Sequence, residues 1–213
     1  SLVPALLFGM YNVGYQHFNA VGGLADTTFF QLFFYGLWKV LPMIIVSYVV
    51  GLGIEFAVAQ MKGHEINEGF LVSGLLIPMI MPVEAPLWMV ALSTAFAVII
   101  GKEIFGGTGM NIWNPALLAR AFFFFSYPSM ISGDKVWIAG DTADAISQAT
   151  PLAQMALGQP LTYSTADMFW GFIPGSVGET SAFCILIGAV ILLLTNVASW
   201  RTMISVFVGG YLM

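Results

Sequence analysis

Residues 34–60 read FYGLWKVLPMIIVSYVVGLGIEFAVAQ, and in that stretch only Lys39 and Glu55 carry charge. Crossing the hydrocarbon of a bilayer takes roughly 20 consecutive apolar residues, which this run exceeds. On both sides the pattern continues, with apolar segments over 2–15, 69–82, 86–101, 112–127, 181–200 and 202–213. The 213 residues are 59% hydrophobic and 8% charged, with a mean hydropathy of +0.89. Soluble domains carry about 25% charged residues, so a globule of this composition would present an aggregating surface. The expectation is an integral membrane protein: an all-α, polytopic transmembrane helical bundle forming a single domain over 1–213. Ser1 opens directly in an apolar helix and Met213 falls inside another, so the chain reads as a piece of a longer membrane protein, cut at both ends.

Several segments are too short to cross the hydrocarbon alone, and Pro or Gly interrupts them. Pro78, Pro82 and Pro86 break the region after residue 69, and Gly106, Gly107 and Gly109 break the region before 112. Discontinuous helices of this kind are tolerated where protein or a cavity covers the exposed backbone, and they tend to line binding sites. The basic residues give a mild orientation. With Lys62 cytoplasmic, Lys102 and Arg201 also fall inside while Lys39 and Lys135 fall outside, which puts the polar loop region 128–180 on the outer face.

Composition also excludes functions. The net charge is −5, so nucleic acid is not an expected partner. The single cysteine, Cys184, permits no internal disulfide or thiolate cluster. Nucleophile-elbow, P-loop and dinucleotide fingerprints are absent.

Five places could carry chemistry. Asn111 and Asn114 are three apart, expected on one helix face, beside the Gly107 turn. They suit either a helix cap or the edge of a heteroaromatic ring. Thr150 precedes Pro151; it is either a plain cap of a short helix or a hydroxyl placed where helix N–H groups favour a phosphate. Ser176 and Glu179 form a capping-box pattern ahead of an apolar run, with Gly175 and Gly178 available for close packing. Glu55 is an acid inside a span, by default functional, or else a solvated interface residue; Gly51 and Gly53 thin the helix just before it. His64, Glu65 and Glu68 lack metal-site spacing and read as a hydrated loop. Arg120, within a span, requires an acid or a carbonyl.

The ordered set HEINEGF (64–70), GKEIFGGTGMNIWNPALLARAFFFFSYP (101–128), ISGDKVW (131–137), S-x-A-T (147–150) and IPGSVGE (173–179) resembles the B-type membrane subunit of sodium-translocating NADH:quinone reductases. The resemblance runs over essentially the whole chain from VPALLFGMYN (3–12). The related D-type membrane protein of Rnf complexes is less similar around HEINEGF and ISGDKVW. The resemblance implies a urea-channel-like inverted-repeat fold in the bacterial inner membrane, with the flavin-bearing loop on the periplasmic side. It implies FMN joined covalently through phosphate to Thr150, in a motif that includes Ser147 and Ala149, and riboflavin near Asn111, Asn114 and Gly107. It further implies sodium handling at Glu55 and quinone or inhibitor binding at Gly51 and Leu52. Gln148 and Leu52 stand where glycine is more usual. The implied activity is membrane electron transfer toward ubiquinone coupled to Na+ movement, within a multisubunit complex whose NADH oxidation lies on another subunit. The alternatives are the membrane component of an Rnf-type ferredoxin:NAD oxidoreductase and a passive channel or small-solute transporter.

Overall fold

A computed structural model describes residues 1–63, 69–128, 138 and 150–213. Ser147, Ala149, the acids Asp134, Asp141 and Asp144, and the His64–Glu65–Glu68 group lie outside the described residues. Among the described residues the regular structure is helical: α1 Val3–Val21, α2 Phe29–Lys62, α3 Phe70–Ile80, α4 Leu87–Gly101, α5 Pro115–Ser126, α6 Pro151–Ala156, α7 Thr165–Trp170, α8 Ala182–Leu194 and α9 Trp200–Leu212.

Helix α2 shows what solvent the bundle is built for. Its buried stripe is Gly36, Val40, Met43, Ser47, Gly51 and Glu55, spaced three or four apart as one helix face requires. Its exposed face carries Phe34, Trp38, Ile45, Val49 and Phe56. Small and polar residues point inward and bulky apolar ones outward, the distribution expected when lipid, not water, surrounds a helix. At 34 residues and 1.5 Å per residue, α2 is about 51 Å long, more than the hydrocarbon thickness. The α4 segment is the other one long and apolar enough to cross among the described residues.

Glycines set the closest approaches. A Cβ on Gly14 would overlap the Leu32 carbonyl, and one on Gly36 the Met10 carbonyl, so α1 and α2 meet backbone to backbone. Gly9 meets the Val177 carbonyl in the same way.

The short segments are discontinuous as expected. Helix α3 has 11 residues, about 16 Å of length, and stops at a buried break through Met81, Pro82 and Val83. Pro78 removes the N–H that would bond the Gly74 carbonyl; the Ser47 hydroxyl donates to that carbonyl instead, at 2.9 Å. The last carbonyls of α3 are also satisfied from outside. The Gly178 N–H donates to Met79 O at 2.9 Å, and the Arg120 guanidinium donates to Ile80 O. Arg120 thus finds a carbonyl, as its place in a span demands.

Three expectations are corrected. The 181–200 segment is not one span: α8 ends at Leu194, where the Thr195 hydroxyl bonds back to Ile191 O at 2.9 Å and Asn196 turns with φ 54°. Ser176 does not cap α8. It hydrogen-bonds Glu179 at 2.7 Å, but the cap is Ser181, which accepts from the Cys184 N–H. The end of the 128–180 region is not a loop on the outer face. Ser176, Val177 and Thr180 are buried, because Gly9 and Gly178 let this turn wedge between α1 and the end of α3.

Candidate functional site

One cluster joins three helices. Glu55 on α2 is 5% exposed and ion-paired with Lys102, equally buried, at the end of α4. The Lys102 ammonium lies 5.8 Å from the centre of the Phe70 ring, close enough for a cation–π attraction. Phe70 opens α3 and is fully buried. Its ring fills the space that a side chain at Gly51, one turn before Glu55, would occupy. Gly51 therefore admits a neighbouring helix, while Gly53 faces open space and Leu52 is half-buried beside it. Lys62 closes the same end of the bundle by donating to the Glu103 carbonyl at 2.9 Å.

A charged pair in a low-dielectric interior loses hydration that its mutual attraction only partly returns, and removing one partner costs roughly 3–5 kcal/mol. Such a pair is held in place by its surroundings. Here the glycine at 51 and the aromatic at 70 shape those surroundings. The pair also changes the orientation count. Lys102 is neutralised inside the protein, which leaves Lys62 and Arg201 on one side against Lys39 and Lys135 on the other. Lys39 itself pairs with Glu84 at 3.0 Å, both partly exposed.

The asparagines do not share a helix face, because α5 begins only at Pro115. Asn114 is its N-cap, its amide oxygen accepting from the N–H groups of Ala116 and Leu117. Asn111 lies in the preceding turn and donates to the Trp113 carbonyl at 3.0 Å. Gly107 holds φ 95° in the same turn, with nothing near the place of a Cβ. These bonds use the oxygen of one amide and the nitrogen of the other. What they leave is a donor on the exposed Asn114 and an acceptor on the half-buried Asn111.

Along residues 1–213 the sequence matches the NQR2, RnfD, RnfE family. The chain belongs to that family. The B-type membrane subunit of a Na(+)-translocating NADH-quinone reductase from Chromohalobacter salexigens is 48% identical over 97% of this chain and 55% of its own length. Proteins of the same description from Yersinia pestis and Klebsiella pneumoniae are each 41% identical over 98% of this chain and 59% of theirs. The chain spans between 55% and 59% of the length of these relatives.

For this member of the NQR2, RnfD, RnfE family, the other expected site residues fall elsewhere. Thr150 is half-buried directly before α6, and its carbonyl accepts from the Gln154 N–H at 3.0 Å. It is therefore the residue at the head of a short helix, as its place before Pro151 predicts. Gln154 in turn holds Thr162 at 2.9 Å, tying α6 to the segment that follows. Glu55 and Gly51 share a cluster. Asn111, Asn114 and Gly107 share a turn, and nothing described brings Thr150 to either. Sequence reasoning missed Lys102 and Phe70. The available signal was the position of Lys102 directly after an apolar run, 47 residues from an acid that needs a cation.

Proposed function

We propose that this chain is the B-type membrane subunit of a sodium-translocating NADH:ubiquinone oxidoreductase. It would carry electrons from a neighbouring subunit toward ubiquinone, coupled to Na+ passage, with NADH oxidised on another subunit. The observation that carries the reading is 48% identity over 97% of the chain to a relative bearing that description. The reading places the chain in a bacterial inner membrane, the Thr150 segment on the periplasmic side, and extends the bundle to an inverted-repeat, urea-channel-like fold.

The residues present fit two flavins. FMN would be held through its phosphate by the Thr150 hydroxyl, beside Ser147 and Ala149. Thr150 is partly accessible, and Pro151 fixes its backbone in an extended form. Riboflavin would be held at the Asn111–Asn114 turn. A flavin's ring edge offers carbonyl acceptors and one N–H donor, which the donor left on Asn114 and the acceptor left on Asn111 complement. Gly107 leaves room for a ring plane. Bound there, the two flavins supply one- and two-electron redox chemistry. The protein contributes position and the exclusion of water. Glu55 is the residue for sodium, a buried acid in a span, and quinone binds near Gly51 and Leu52 at the same end of α2.

The test is denaturing electrophoresis of the full complex under ultraviolet light. The wild-type chain is expected to give a fluorescent band, and Thr150→Val to lose it while the chain remains in the complex. A band of undiminished fluorescence in Thr150→Val refutes the attachment site. A dark wild-type chain in active complex refutes the flavoprotein reading and favours a channel.

A further inference from the structure

Resting on the reading that Glu55 handles sodium, we propose that Lys102 is a tethered stand-in cation. A diffusible monovalent cation would then reach Glu55 only by displacing the Lys102 ammonium.

The geometry carries this in three steps. First, the Glu55 carboxylate is already engaged: Lys102 hydrogen-bonds and ion-pairs with it, and both side chains are 5% exposed. A free cation arriving there meets a positive charge in place, and the pocket cannot hold two cations beside one carboxylate without strong repulsion at low dielectric. Second, Lys102 is built to leave. It lies at the end of α4, beyond the last helical residue, with φ −126° and ψ −59°. Its ammonium is a compact charge on a flexible four-carbon stem, unlike the rigid guanidinium of arginine. Third, a second acid adjoins the site. Glu103 is next in sequence and half-buried, in the short turn Glu103–Phe105, whose first carbonyl Lys62 holds. A displaced ammonium moves toward this wetter edge without crossing apolar core. Phe70 stays as the wall, its ring face offered to whichever cation occupies the carboxylate.

Charge balance follows. With lysine in, the pocket is neutral. With lysine out and one monovalent cation in, it is neutral again. Each exchange thus takes up one external cation without leaving a buried charge uncompensated, the condition that makes passage through such a site affordable.

Lys102 is on this view a positioning residue, and its signature is in the sodium dependence of turnover. The assay is quinone reduction by the full purified complex, with NaCl titrated against choline chloride at fixed ionic strength. Lys102→Met is expected to lower the half-saturating sodium concentration by a factor within the roughly 5–150 typical of coupled sites. Lys102→Arg, which restores a cation, is expected to bring it back toward wild type. Glu55→Gln is expected to raise it. If Glu55→Gln shifts sodium dependence but Lys102→Met changes only kcat, the role of Lys102 is overturned and the sodium reading of Glu55 stands. If neither variant moves it, the sodium reading falls, and this inference with it. Should Lys102→Met fail to assemble, the wild-type complex is treated with an amine-reactive reagent at graded sodium. Labelling of Lys102, read by peptide mass, is expected to rise with sodium and not with choline; flat labelling overturns the proposal.

Discussion

Alanine at Gly36 and alanine at Gly53 are chemically the same change in the same helix, and the structure predicts opposite signs for them. In a helix interior alanine is worth about 0.5–1 kcal/mol more than glycine, through lost backbone entropy in the unfolded chain. Gly53 faces open space, so Gly53→Ala should collect that gain undiminished. At Gly36 the new methyl would overlap the Met10 carbonyl, a backbone atom that cannot rotate aside. Overpacking of this kind costs typically about 1–3 kcal/mol, and with backbone on the other side the upper end applies. The net effect at Gly36 is a loss of about 1–2 kcal/mol once the propensity gain is subtracted. For a domain of this size each kcal/mol moves the melting midpoint by about 2–4 °C. The assay is the heat-induced loss of the monodisperse peak of detergent-solubilised complex in size-exclusion chromatography. Gly53→Ala should rise by a few degrees and Gly36→Ala should fall. Two shifts of the same sign would refute the claim that α1 and α2 pack backbone to backbone.

Other expectations follow from single contacts. Ser47→Ala should destabilise by about 1–3 kcal/mol, the penalty of an unsatisfied buried carbonyl. The loss should shrink in a Pro78→Ala background, where an amide N–H again reaches Gly74; a double-mutant thermal cycle reads this coupling. Asn114→Ala should cost about 1 kcal/mol through loss of the α5 cap, with Asn114→Asp retaining most of it; if the turn also holds flavin, extractable riboflavin should fall in both. Lys39→Gln should change stability by no more than about 1 kcal/mol, since its pair with Glu84 is partly exposed and screened, and that remainder should vanish in high salt.

Much of the fold was legible because lipid and proline leave strong local marks. The run at 34–60 was bound to be a span, and Pro78 and Pro82 announced the break after α3. What was not legible depends on partners distant in sequence. The apolar run after residue 181 carries no proline, so nothing local predicts that Thr195 and Asn196 will turn it. The acids and glycines of 173–181 read as loop, because their burial depends on Gly9 and Met79 meeting them from other helices. The same holds for the site. Glu55 was conspicuous by itself, a lone acid among apolar neighbours, whereas Lys102 looked like any lysine flanking a helix. The asparagines were read by spacing, but Pro115 decides the matter: helix begins after Asn114, so the pair straddles a boundary.

Arg120 and Lys102 are both cations drawn into the bundle, and their chemistries differ in a way that divides the protein into still and moving parts. A guanidinium keeps its charge at any pH a cell reaches, so the grip of Arg120 on the stump of α3 is a rivet. The kink it fastens is a fixed strut, against which neighbouring helices can be braced. Rearrangement during turnover therefore belongs at the opposite end of α3, where aliphatic stem and phenyl ring meet, and not at the proline corner that first catches the eye.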